Sequence, residues 1–317
     1  MVGLRSANGN AAAPPYTSGP YTWDQHLTLT QGVNGVSNGG VCYYVDSGQS
    51  ASGDGKTWDT AYITIAEAVA ASLAASGTYD TIFVRGNETA EISDYAESVT
   101  VTSAQVGLRI IGMGNSPEGV MWTVGTAEGT ILTVAAKDFY VSGFRFRPNG
   151  STSGKAIDMA VTALGSTIEN CIFRSTTETA LYGIYMESCA DVTIQNCVFT
   201  SLATAIYGNA GVKTLYRCKI LNNLFDDKVD DYGINMSARA CLIKGNSFTS
   251  DTTVAISTYN GGAGEMNVVT GNWLGTAAYE SNVACPTDFW IGNTSVDLTN
   301  TYVGAETGIT FSIPNGA

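Results

Sequence analysis

The chain has 317 residues, 15 basic against 28 acidic side chains and a formal net charge of −13. Lys and Arg form no cluster along it, which argues against nucleic acid and anionic membrane as partners. Charged residues make up only 14% while hydrophobic content is an ordinary 44%, so the polar surface is built from Ser, Thr and Asn.

Residues 1–40 read as an extended arm. Ala11-Ala12-Ala13-Pro14-Pro15 and the Gly-, Ser- and Asn-rich stretch 32–40 cannot bury enough surface to fold alone, whereas Tyr16, Tyr21, Trp23, Leu27 and Leu29 supply apolar anchors for docking on a partner. No basic flank and apolar core mark a signal peptide, and no run is long enough to span a bilayer, so synthesis in a cytoplasm is expected. His26, the only histidine, falls in this arm, which removes His-based triads and multi-His metal sites from the rest.

Residues 41–80 carry a strand, a turn and a helix. Thr64 with Glu67 forms a capping box, apolar or small residues follow at Ile65, Ala68, Val69, Ser72 and Leu73, and Gly77 supplies a stop. The spacing predicts a helix lying across one end of what comes next.

From 81 to 275 a six-residue phrase recurs, starting at Val141, Ile168, Ile194, Leu215, Ile243 and Val269. Its ends are apolar, and its third position reads Gly143, Asn170, Asn196, Arg217, Gly245 and Gly271, mostly types that accept a left-handed backbone. A second apolar ladder precedes it at Ile157, Ile184, Ile206, Ile234 and Ile256. Repeats of this length, with short strands and no room for a helix, predict a parallel β-helix in which each strand pairs with its equivalent one coil on. From Val41 to Leu274 the sequence resembles the right-handed, pectate-lyase-like β-helix family, and its opening resembles that of phage tailspike proteins. The resemblance implies an all-β, single-stranded parallel β-helix with an N-terminal capping helix. Beyond Gly275 the phrase is lost, and 276–317 read as an irregular β cap or oligomerisation segment.

Seven cysteines are an odd count, and Cys171, Cys197 and Cys218 occupy the same place in successive phrases. They are expected inside the solenoid as small apolar filling, reduced.

Carboxylate chemistry is what the composition leaves open. Asp158 and Glu187 fall on one strand face a coil apart, with backbones about 8 Å from each other, a separation that suits an inverting pair. Asp226, Asp227, Asp230 and Asp231 crowd a loop between coils and could hold calcium, although a solvated turn is the favoured reading and no cofactor is otherwise expected. Arg217 and Arg239 are candidate bases for an elimination, or stack on Tyr216. Tyr185 and Tyr207 fall on consecutive coils as an outward ladder for sugar rings or a neighbouring subunit.

These features together predict a structural surface protein of a virus particle, a bacteriophage decoration, appendage or tailspike-like protein. It would assemble as a homotrimer, dock on other virion proteins through the arm, project a stiff rod and bind host glycan. The alternative is a polysaccharide lyase or glycoside hydrolase using carboxylates on the coil face.

Overall fold

The computed structural model describes residues 40–294 except 76–77, 87–94, 115–118, 125–127, 151, 176–179, 209–214, 227, 250–252, 260–265 and 276–286. The expected docking anchors Tyr16, Tyr21, Trp23, Leu27 and Leu29, together with Asp227 and Gly77, lie outside the described residues.

The chain winds through three parallel sheets. Sheet 1 has ten strands running from Cys42–Asp46 to Phe289–Ile291, sheet 2 has seven from Tyr95–Ala96 to Ser247–Phe248, and sheet 3 has seven from Val99–Val101 to Val254–Ser257. Every pairing among these strands is parallel, each strand bonding to its equivalent in the next coil, as in Ile168 with Val141 and Ile194. The only helix among the described residues, Ile65–Ala74, opens with the expected capping box between Thr64 and Glu67 and buries Ile65, Ala68, Val69 and Ser72. Glu97 adds a second cap, accepting from Ile65 N at 2.8 Å and Ala66 N at 3.0 Å. That satisfies amides which the first turn of a helix leaves without intrahelical partners.

The interior is a set of columns. Phe146, Phe173, Phe199, Phe225 and Phe248 stack with centroids 5.3, 4.8, 5.1 and 4.3 Å apart, all fully buried. The ladder Ile157, Ile184, Ile206, Ile234 and Ile256 is in register as expected. A third column is polar: Asn223, Asn246 and Asn272 each donate a backbone amide to the side-chain oxygen of the asparagine one coil on, at 2.9, 2.9 and 3.0 Å. Buried amides are costly unless paired, and this column pairs each with its neighbours.

Two expectations about the repeat are corrected. The partner of Ile194 is Ile220, not Leu215, and Leu215 pairs with Ala238 in a separate two-stranded ladder. Each coil turns at two corners through a left-handed residue, one entering sheet 1 (Asp191, Arg217, Ala240) and one leaving it (Asn196, Asn222, Gly245), so the phrase fits either corner. Cys171 and Cys197 therefore share a corner, whereas Cys218 belongs to the other, beside Cys241, whose sulfur accepts its backbone amide at 3.3 Å. All of these thiols are buried and free. Nor does the repeat stop at Gly275: Phe289–Ile291 adds another rung to sheet 1, and Asn293 extends the asparagine column.

Candidate functional site

Sheet 3 presents the side chains that can meet a ligand. Its strands do not alternate strictly. In Lys155–Met159 the two consecutive residues Ala156 and Ile157 are both buried, so Lys155 and Asp158, three apart, share the outward face. The same small-plus-isoleucine pair recurs as Gly183-Ile184, Ala205-Ile206 and Gly233-Ile234. This repeated pair is the sequence signal for two outward columns, and strict period-2 reasoning misses it.

One column runs Lys155, Tyr182, Thr204, Tyr232 and the other Asp158, Tyr185, Tyr207, Asn235. Tyr185 and Tyr207 stack with centroids 5.5 Å apart and planes 22° from parallel, and Tyr182 joins them at 5.3 and 4.7 Å. Lys155 Nζ lies 3.8 Å from the centre of the Tyr185 ring and 2.7 Å from Asp158 Oδ2. Burial raises the hydroxyls of Tyr182 and Tyr185 above the ordinary tyrosine value, the latter with help from the charges of Glu187 and Asp158. The outcome is a half-buried three-ring platform with a fixed ammonium and carboxylate at its edge. Such rings offer broad contact at small entropic cost, and the edge groups can donate and accept hydrogen bonds.

The sequence-predicted carboxylates divide. Asp158 and Glu187 both act on Tyr185, so they do share one neighbourhood, but Asp158 is held in an ion pair by Lys155. The acidic run is not all loop. Asp230 and Asp231 lie in the strand Val229–Asn235, exposed, where an extra residue bulges the register between Leu202 and Thr204. Asp226 accepts from Thr249 Oγ1 at 2.9 Å. Among the described residues no group of three or more His, Cys, Asp or Glu is placed to hold a metal ion. Arg217 and Arg239 sit at the corner entering sheet 1, away from this run. Arg217 forms a two-pronged pair with Asp191 at 2.7 and 2.6 Å, and Arg239 lies over the Tyr216 ring at 5.8 Å.

A basic cluster was missed. Arg145 and Arg147 lie beside Arg174 of the next coil on the outward face of sheet 2.

Parallel coils, a capping helix, stacked interior columns and an outward aromatic face define a parallel β-helix. The chain belongs to the family described as "Right handed beta helix region", which matches residues 130–296. It is similar in fold to pectin methylesterase from Aspergillus niger, at 13% identity and TM-score 0.54 over 86% of this chain and 91% of that one. A pectin methylesterase solved in complex with a hexasaccharide is also similar, at 13% identity and TM-score 0.53 over 82% and 90% of the two chains. The Dettilon tailspike protein aligns at 16% identity and TM-score 0.44 over 79% of this chain and 46% of that one. At such identities the likeness is one of fold. No curated protein matches the sequence.

Proposed function

We propose that this chain is a structural surface protein of a virus particle, of decoration, appendage or tailspike-like type, whose rod binds a surface glycan on the outward face of sheet 3. The observation that carries the glycan reading is the Tyr182–Tyr185–Tyr207 platform with the Lys155–Asp158 pair at its rim. Pyranose rings present flat C–H faces that pack on tyrosines, and their hydroxyls pair with fixed charges. The neighbour solved with a hexasaccharide lends support only through the shared fold. The particle reading rests on residues 1–40, whose composition suits an arm that orders on virion proteins, and on a coil stack that resists local opening; self-association as a trimer belongs to the same reading.

A glycan array probed with the wild-type chain and with Y182A/Y185A tests the first half. Binding that the double substitution lowers at least tenfold supports it, and indifference to the substitution sinks it. Removing residues 1–40 tests the second: a folded rod that no longer joins particles is the expected result.

The enzymatic alternative, a lyase or hydrolase, draws on Asp158 and Glu187 flanking Tyr185. Release of shorter sugars from a bound polymer, lost in D158N and E187Q, would support it.

A further inference from the structure

We propose that Arg145, Arg147 and Arg174 on sheet 2 form a second binding site, for a tetrahedral oxyanion such as a phosphate or sulfate ester carried on a polymer.

Residues Arg145 and Arg147 sit two apart on Phe144–Arg147 and so face the same way, between the inward rings of Phe144 and Phe146. Phe146 is in register with Phe173, which places Arg174 beside Arg147 on the next coil, about 4.8 Å away along the strand-to-strand direction. The guanidinium groups of Arg145 and Arg147 also converge. Arg145 Nη2 lies 3.5 Å and Arg147 Nη1 4.0 Å from the same uncharged atom, Met121 Sδ.

Three of the chain's 15 basic residues therefore gather on one patch of a protein with net charge −13. No strand residue of sheet 2 is Asp or Glu. Among the described residues Arg147 and Arg174 form no ion pair, in contrast to Arg217 and Lys155 elsewhere on the rod. Holding the like charges of Arg147 and Arg174 side by side on a rigid sheet costs energy, and an anion between them removes that cost.

The density of the cluster selects the anion. Polymer carboxylates are single charges spread about one per sugar ring, whereas a phosphate or sulfate group concentrates oxygens that several guanidinium forks can share. Nucleic acid is a poorer match, because the aromatic side chains of sheet 2 point inward and offer bases no stacking platform. That the polymer is a glycan rests on the proposed function; the oxyanion chemistry does not.

The full chain is titrated by calorimetry with inorganic phosphate and sulfate, then with plain dextran, carboxymethyl-dextran, dextran sulfate, phosphorylated dextran and single-stranded DNA. Wild type is expected to bind the sulfated or phosphorylated polymer at least tenfold more tightly than the carboxymethylated one, with affinity falling as salt rises. The relative strength of the two esters separates phosphate from sulfate. R147A/R174A is expected to lose at least tenfold and R147K/R174K to recover part of it, with both variants retaining a cooperative unfolding transition. Y182A/Y185A is expected to retain this binding, which keeps the two faces distinguishable. Equal binding of carboxymethyl-dextran or DNA, no loss in R147A/R174A, or a solution mass that falls in that variant because the patch joins two copies, would each overturn the proposal.

Discussion

Lys155 couples two different partners at once, its ammonium 3.8 Å from the centre of the Tyr185 ring and 2.7 Å from the Asp158 carboxylate. Removing it leaves Asp158 without a counter-charge and the Tyr185 ring without its cation. A K155A variant is expected to lose about 1–2 kcal/mol of stability, the sum of a partly buried ion pair and a cation–π contact. It should also lose glycan affinity in parallel, with K155R recovering most of both. Urea unfolding and array binding measure the two effects; stability and binding both unchanged would show that the pair merely decorates the face.

Alkaline pH should loosen the same face. In the folded chain Tyr182 and Tyr185 hold their protons above the ordinary value of 10.0, chiefly through burial. A raised folded value means that the native state binds the proton more tightly than the unfolded chain, so this contribution is complete below pH 10 and is lost as pH rises through the folded values. Melting temperature should therefore drop more steeply above pH 10 in wild type than in Y182F/Y185F. Tyrosinate absorbance that develops for these residues at or below pH 10 would contradict it.

Glu97 titrates at the other end of the scale. Burial raises its carboxyl above the model-peptide value of 4.5, outweighing the amides of Ile65 and Ala66 that favour the charged form. Its contribution to stability is thus full below pH 4.5 and declines as pH climbs through the raised folded value. The stability difference between wild type and E97Q should move against wild type between pH 4 and pH 7. A difference that grows in favour of wild type over this range would reverse the assignment.

Where sequence reasoning succeeded and failed has a physical pattern. The isoleucine ladder, the capping box and the stacking of Tyr185 on Tyr207 are set by local periodicity, and each was legible. The six-residue phrase at Leu215 falls one corner too early because Arg217 and Asn222, at φ 51° and 54°, make the same left-handed turn five residues apart. Ile220 closes one phrase and opens the next. Asp230 and Asp231 predict a loop because aspartate is depleted in strands, yet a bulge lets both point to solvent. The arginine cluster depends on which residue lies beside which one coil on, a relation of register that linear charge patterning does not contain.

Thiol labelling probes the corrected register. Burial pushes Cys189 to about 12 and Cys197 well above the ordinary thiol value, so neither supplies thiolate at neutral pH. Cys171, Cys218 and Cys241 are equally enclosed, whereas Cys42 is only half-buried. Of these six, native protein should label at Cys42 alone, the other five reacting only after unfolding. Fast labelling of Cys218 with Cys171 protected would place the former outside the core.

The asparagine column should behave as a chain whose middle link matters most. Asn246 accepts from Asn223 N at 2.9 Å and donates through Nδ2 to Ile220 O at 3.0 Å, while its own amide bonds to Asn272 Oδ1 at 2.9 Å. An alanine at this position keeps the last of these bonds but strips the partner from Asn223 N in the dry interior, while Ile220 O stays in the parallel ladder that pairs Leu221 with Lys244. A buried group left unpaired costs about 1–3 kcal/mol, so N246A should destabilise by about 1–3 kcal/mol. N293A, at the partly exposed end of the same column, removes the acceptor for Asn272 and the bond to Val269 O where water can substitute, and should cost less. Equilibrium denaturation of the two variants decides the matter. Equal losses would mean that the column acts as independent caps on each turn, not as a continuous brace along the rod.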